Sequence, residues 1–456
     1  MKTTNQSMSS IRSGQASYQI NTKLWDNLDI NVSVANAYPG LSAESLFSVA
    51  LRVNKKRQFL FVSKLIAKHL AVHPCLALGT GTLLASLLME RVGLEGYPDT
   101  TALVNMIETG AIDRETSIKS LQFKKAMPQK TVFIGMAETA TGLGHAVFQH
   151  FEEAAFIHTT REEIVGTTPS FVFEEEHSHA TSHKVYAPSG MLEEAETIVL
   201  IDDEISTGNT LLNLVCALDD QFPGKNYASL SILDWRNAGQ KEKMKKITSD
   251  RNISLKVLSL MAGEFNLVHS KAPEEPELIS LNTTGSRMLD AELPGEKLTV
   301  GSKTGQQYVS YTGRFGITSS EHDEIGDWAE AAARLTGGTS DKALVIGVGE
   351  NMYLPLRFAL ALGGSPVVQT TTRSPIFASQ TVGYPIKEKA KFELPDAEGI
   401  SQFIYNLNEL DIDRIYLLAE SVIEKSQWQP LLAYLEKKAP VEWVALTAAK
   451  RSEEIE

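Results

Sequence analysis

The chain has 456 residues, 43% of them hydrophobic, and its 43 Lys and Arg against 56 Asp and Glu leave a formal net charge of −13. Apolar content of this order excludes general disorder, and at about 150 residues per domain the length implies two or three domains. An acidic surface repels a phosphate backbone, and the one short basic cluster, at 241–246, is no stripe, so nucleic acid is not an expected partner.

The first ten residues are polar, and the most apolar stretch, 75–89, is interrupted by Gly79, Thr80, Gly81 and Thr82. The expectation is a cytoplasmic protein without a membrane span. Cys75 and Cys216 are too few for a disulfide framework or a thiolate zinc site and read as buried apolar fillers. Residues before about 45 are expected to form a hood or edge strand. The basic run from Arg52 to Arg57 precedes a stretch, 59–69, whose default reading is a solvated helix entry, although it could meet a phosphorylated ligand. Leu78-Gly79-Thr80-Gly81 resembles the opening of a dinucleotide fingerprint, but Leu84 stands at the third glycine position, so the spacing predicts a tight strand-to-helix turn.

Short apolar, β-branched runs at 131–134, 155–158, 197–201, 229–233 and 255–260 then alternate with helical periodicity, which predicts buried parallel strands in an α/β domain. From about 269 to 321 the texture turns to Pro, Gly, Ser and Thr, a boundary region with a small hairpin expected at 307–311. Runs at 343–346, 366–369, 414–418 and 441–446 mark a second α/β unit. The halves share a pattern: Gly135, Glu138 and Arg161 superpose on Gly347, Glu350 and Arg373 at a constant offset of 212, each arginine closing a Thr-Thr-Arg. A strand, glycine loop, helix and Thr-Thr-Arg in register predict an internal duplication.

The most informative segment is 197–210. A buried strand delivers Asp202 and Asp203 to the carboxyl edge of the sheet, where open α/β folds bind ligands. Ser206, Thr207, Gly208, Asn209 and Thr210 follow as a turn of small residues that can cradle a phosphate at a helix start. Carboxylates suit vicinal hydroxyls, so the pair suits a ribose 5-phosphate.

This segment resembles the signature of the type I phosphoribosyltransferases, with Glu204 a departure where the family usually has an apolar or small residue. The resemblance implies that Asp202 and Asp203 hold the ribose hydroxyls, and a metal through ribose or water, and that Ser206 to Thr210 hold the 5-phosphate. The loop Ala137, Glu138, Thr139, Ala140 and Thr141 matches the place of the family's pyrophosphate loop, with Glu138 acting through Mg²⁺ or as a helix cap. The segment 162–188 falls where similar enzymes carry a mobile catalytic loop, which makes Arg161, His179, His183 and Lys184 candidates. His177, His179 and His183 have a spacing feasible for zinc, but no positioned acid or thiolate completes a site. Asp234 and Trp235 end the next strand, where related enzymes place groups near the base; an interface Trp is the competing reading.

In the second unit Ala419-Glu420-Ser421 replaces the acid pair and glycine loop. It keeps Thr372-Arg373-Ser374-Pro375, and with residues 348–355 it resembles the domain named for its Thr-Arg-Ser-Pro (TRSP) motif, which follows a phosphoribosyltransferase domain in bacterial proteins of tellurium-resistance and stress gene clusters. The expected fold is therefore α/β: a parallel-sheet type I phosphoribosyltransferase fold plus a second α/β domain as a degenerate duplicate. Expected bounds are 1–45 for the edge or hood segment, 46–268 for the transferase domain, 269–321 for the boundary region and 322–456 for the TRSP-type domain. The implied reaction is Mg²⁺-dependent transfer of a phosphoribosyl group between phosphoribosyl pyrophosphate and a nitrogenous, base-like acceptor, giving a nucleotide-like metabolite. A non-catalytic nucleotide sensor is the alternative, and a homodimer an admissible assembly. Glu350, Thr372, Arg373 and Ser374 are expected either to form a second anion site or, through an Arg373–Glu350 salt bridge, to stabilise the domain.

Overall fold

A computed structural model of the chain describes residues 18–25, 28–52, 59–96, 98–174, 182–268, 287–290, 307–337, 341–394, 399–420 and 428–446. Strands β1 (Tyr18–Trp25) and β2 (Leu28–Ala37) pair antiparallel and extend one edge of the main sheet. After the short helix α1 (Ala43–Leu46), strands β3 (Phe47–Leu51) and β4 (Phe59–Ser63) form a separate antiparallel pair. The stretch expected as a helix entry at 59–69 instead opens with a strand: the aromatic and β-branched residues Phe59, Phe61 and Val62, in a segment buried throughout, suit a pleated surface better than a solvated helix.

The helices α2 (Pro74–Arg91), α3 (Thr101–Thr109) and α4 (Arg114–Leu121) lead into β5 (Lys125–Gly135), α5 (Ala140–Phe148) and β6 (Phe151–His158). The turn expected at Gly79–Gly81 does not exist; both glycines lie inside α2. A Cβ on Gly81 would stand 2.3 Å from the Ala146 carbonyl oxygen, so this glycine permits a close crossing of α2 over α5. The chain continues through β7 (Phe171–Glu174), β8 (Ser182–Val185), β9 (Thr197–Ile205), α6 (Asn209–Gln221), β10 (Asn226–Asp234), α7 (Ala238–Asp250) and β11 (Ser254–Val268). The core of the large sheet is parallel in the order β11-β10-β9-β5-β6.

The second half holds β12 (Arg287–Asp290), β13 (Ile317–Thr318), α8 (Ser319–Leu335), β14 (Ala343–Gly347), α9 (Tyr353–Leu362), β15 (Val367–Thr370), β16 (Lys389–Glu393), β17 (Ser401–Tyr405), β18 (Arg414–Ala419), α10 (Gln429–Glu436) and β19 (Val441–Ala445). In place of the hairpin expected at 307–311, residues Ser310–Thr312 make a single 3₁₀ turn closed by Gly313 at φ +82°. Its sheet is also parallel, in the order β12-β19-β18-β14-β15.

The two sheets repeat one arrangement. The Thr159 N–H donates to the Gly135 carbonyl at 2.9 Å and Thr371 to Gly347 at 3.0 Å. Ala137 N–H donates to Thr159 Oγ1 at 2.8 Å and Gly349 to Thr371 Oγ1 at 2.9 Å. Each pair keeps the 212-residue offset. Thr160 exchanges two backbone bonds with Lys184, as Thr372 does with Phe403, so the hairpins β7–β8 and β16–β17 also correspond. One departure is the edge strand β12, which comes from the boundary segment before the unit rather than from its end.

A continuous apolar core joins the halves, with α9 packed on both α2 and α5. Within it Tyr353 Oη donates to Gln149 Oε1 at 3.0 Å, and His322 Nε2 lies 3.1 Å from His145 Nδ1. Burial holds both imidazoles neutral, pushing His145 down to about 3 and His322 well below its ordinary value.

Candidate functional site

The carboxyl end of β9 opens on a cleft of about 210 Å³ to which both halves contribute. Asp203 and Glu204 form its acidic wall. Arg52, Leu60 and Phe61 come from the β3–β4 pair, and Lys68 and His69 from the segment after it. Glu138 and Thr139 come from the loop after β5, Arg161 from the turn after β6, and Arg373 and Ser374 from the second half.

The acid pair is therefore shifted by one residue from the expected one. Asp203 and Glu204 line the cleft, while the Asp202 carboxylate accepts its neighbour Asp203's N–H at 2.9 Å. The unusual Glu204 is the residue that faces the space. Behind the acids Ser206 and Thr207 form the turn, Gly208 takes the left-handed conformation at φ +79°, and Asn209 and Thr210 begin α6; Thr207 Oγ1 accepts the Asn209 N–H at 3.3 Å. A Cβ on Gly208 would meet Arg236 Cδ at 2.6 Å, so both backbone angle and space call for glycine. These five residues stand at the end of the acid-bearing strand without lining the cleft.

The loop after β5 does line it. Lys68 Nζ donates to Thr139 Oγ1 at 2.6 Å, holding a cation beside the start of α5 at Ala140. Glu138 is 6% exposed, its Oε2 lies 3.5 Å from the Arg373 N–H, and its Oε1 has no hydrogen-bond partner among the described residues. Thr141 Oγ1 donates across the domain junction to the Glu350 carbonyl at 2.8 Å.

Other candidates lie elsewhere. His179 falls outside the described residues. His183 is buried, stacked on Phe173 and 2.9 Å from Thr159 Oγ1, and so is a fixed part of the β7–β8 hairpin rather than a mobile catalytic group. Lys184 next to it is held by its backbone pairing to Thr160. Asp234 makes a buried two-pronged ion pair with Arg236, at 2.8 Å for both prongs, and Trp235 packs on Phe47 and Phe61. Neither lines the cleft; Trp235 supports Phe61, which does.

The Arg373–Glu350 salt bridge does not form. Arg373 pairs with Glu162, and Glu350 with Arg314 at 3.2 Å. Glu350 also accepts Thr160 Oγ1–H at 2.7 Å and the Arg161 N–H at 3.0 Å. Each half thus offers its loop glutamate to the other's Thr-Thr-Arg turn: Glu350 to Arg161, Glu138 to Arg373. Burial opposes ionisation of Glu350, but the Arg314 guanidinium outweighs it and holds the carboxyl down at about 2.

Lys68, His69, Phe61 and Glu162 escaped the sequence reading, whereas Arg52 lay in a run read as able to meet a phosphorylated ligand. The four that escaped it are assembled only by the fold.

Residues 46–264 match a family model described as phosphoribosyl transferase, and residues 311–435 match one described as the TRSP domain C-terminal to it. The first half thus matches the phosphoribosyl transferase model, and the second the TRSP model that follows it. Comparison with curated proteins gives no match. Among solved structures it is similar to the adenine phosphoribosyltransferase of Trypanosoma brucei, at 20% identity over 32% of this chain and 62% of that one, with a TM-score of 0.22. The enzyme of Saccharomyces cerevisiae follows at 11% identity over 48% and 95%, TM-score 0.26, and that of Leishmania tarentolae at 14% over 47% and 84%, TM-score 0.27. No described helix is long and apolar enough to cross a membrane.

Proposed function

We propose that the chain transfers a 5-phosphoribosyl group between phosphoribosyl pyrophosphate and a nitrogenous base-like acceptor, making a nucleotide-like metabolite in the stress setting that the TRSP resemblance implies. The observation that carries this reading is the cleft at the end of β9, where Asp203 and Glu204 face Arg52, Lys68, Arg161 and Arg373. Carboxylates accept from ribose hydroxyls, and the opposing cations suit a pyrophosphate. Leu60, Phe61 and His69 form the wall for a planar acceptor, and the small-residue turn Ser206 to Thr210, just past the cleft's acids at the start of α6, is the place for the 5-phosphate of a ligand that extends beyond the cleft.

Among the described residues no group of three or more His, Cys, Asp or Glu is arranged to hold a metal. Mg²⁺ nevertheless fits, because it commonly takes one or two carboxylates and completes its shell with water and substrate phosphates. Asp203 and Glu204 are the hard oxygen donors that would hold it. Bound there, Mg²⁺ would supply charge neutralisation of the leaving pyrophosphate. The chain's own residues orient the ribose and stabilise charge on either side of an oxocarbenium-like centre, with no dedicated nucleophile.

A second reading, a sensor that binds such ligands without turnover, is favoured by the hairpin that His183 pins beside the cleft. Pyrophosphate release by the full chain with phosphoribosyl pyrophosphate, Mg²⁺ and a panel of bases separates the two. Release with one base supports transfer; saturable binding with no release from any base supports the sensor.

A further inference from the structure

Arg314 belongs to no loop that sequence or family match singles out, yet it sits at the centre of the second unit. The strand registers fix what surrounds it. Gly135 pairs with Ile201 in the first sheet and Gly347 with Leu418 in the second, so Glu420, two residues beyond Leu418, stands where Asp203 stands two beyond Ile201. Glu350, three residues beyond Gly347, likewise stands where Glu138 stands beyond Gly135. The ligand position of the duplicate unit lies between Glu420 and Glu350, and the Arg314 guanidinium fills it. Nη1 donates to Glu420 Oε2 at 2.8 Å, Nη2 lies 3.2 Å from Glu350 Oε2, and the group stacks 4.2 Å from the Tyr308 ring centre. Arg314 is 3% exposed, and the space left around it amounts to about 40 Å³.

Glu350 has a second engagement. Its two oxygens accept the Thr160 hydroxyl and the Arg161 N–H, and Arg161 lines the cleft that holds Asp203. We infer that the second domain's former ligand site is plugged by its own Arg314, and that the plug serves as a positioning device: Arg314 fixes Glu350, which fixes the Thr160–Arg161 turn of the working cleft. The domain contributes by order rather than by binding a second substrate. The inference rests on the proposed transferase reading for its consequence, although its mechanical part stands without it. A fork is needed to bridge two carboxylates, so lysine cannot replace arginine there.

The test uses the full chain and Arg314→Lys. Hydrogen–deuterium exchange of the peptide spanning 159–164 is expected to quicken by roughly 100-fold in the variant while the strands of the first sheet keep their protection. Affinity for phosphoribosyl pyrophosphate with Mg²⁺ is expected to fall by roughly 10-fold, because a displaced binding group loses alignment. If Arg314→Lys does not fold, Glu350→Gln, which leaves Arg314 paired to Glu420, is read in the same way. Unchanged exchange at 159–164 overturns the inference. So does a general loss of protection and thermal stability with undiminished affinity, the mark of a merely structural arginine. Absence of binding by the unmutated chain defeats the transferase reading alone, since the exchange result still decides whether the plug orders the turn.

Discussion

Glu350 stays ionised in a place where burial alone would protonate it, because Arg314, the Thr160 hydroxyl and the Arg161 N–H converge on it. Its carboxyl is depressed from 4.5 to about 2, so its stabilisation is fully present above pH 4.5 and is lost as the pH falls toward 2, on the order of 3 kcal/mol. Glu350→Gln should flatten this acid limb in urea unfolding measured between pH 5 and the lowest accessible pH. The buried histidines act in a higher window. His150 and His158 are pushed down to about 4 by burial, so the unfolded chain takes up protons first and stability drops as pH falls below 6.5. Each should remove about 1.4 kcal/mol per pH unit between 6 and 4, visible as a falling thermal midpoint. At this scale the sequence showed the acids, the small-residue turn and Arg161 and Arg373, because each lies in a contiguous motif. It could not show that Glu204 joins Asp203 in lining the cleft while Asp202 does not, since strand alternation puts 202 and 204 on one face and only the surrounding fold distinguishes them. Nor could it show that Arg373 turns to Glu162, 211 residues away.

Among the elements, α2 shows how packing overrides local signals. Two glycines in an apolar run look like a turn, and each costs about 1 kcal/mol of helix propensity. The run is a helix because the bare face of Gly81 admits the backbone of α5. Gly81→Ala should therefore cost roughly 2–3 kcal/mol by forcing the helices apart. Gly79→Ala should cost clearly less, because its Cβ would meet only the Leu103 Cδ2 at 3.3 Å. Paired thermal melts of the two variants check the ranking. The parallel strands were readable from their buried β-branched runs, and the repeat from its constant offset. The β3–β4 pair was not, because no Gly or Pro between the two apolar runs signals a hairpin, and the 3₁₀ turn at Ser310–Thr312 lay in a segment with no periodicity.

At the scale of the whole molecule, neither half is self-contained. Apolar packing runs from α2 and α5 into α9, Glu350 closes a turn of the first unit, and Arg373 and Ser374 complete its cleft. The segment 1–268 expressed alone should therefore expose apolar surface and fail to give a cooperatively folding, soluble protein, as judged by thermal unfolding and sedimentation. The sequence indicated two related units but not this exchange between them, because the contacts join residues about 190 to 235 positions apart. The central claim is that the cleft bearing Asp203 and Glu204 binds phosphoribosyl pyrophosphate. Calorimetric titration of that ligand with Mg²⁺ into the full chain and into its Asp203→Asn, Glu204→Gln double variant tests it most directly. The expected result is saturable binding by the unmutated chain and none by a variant with an unchanged circular dichroism spectrum; equal binding by both, or none by either, would contradict it.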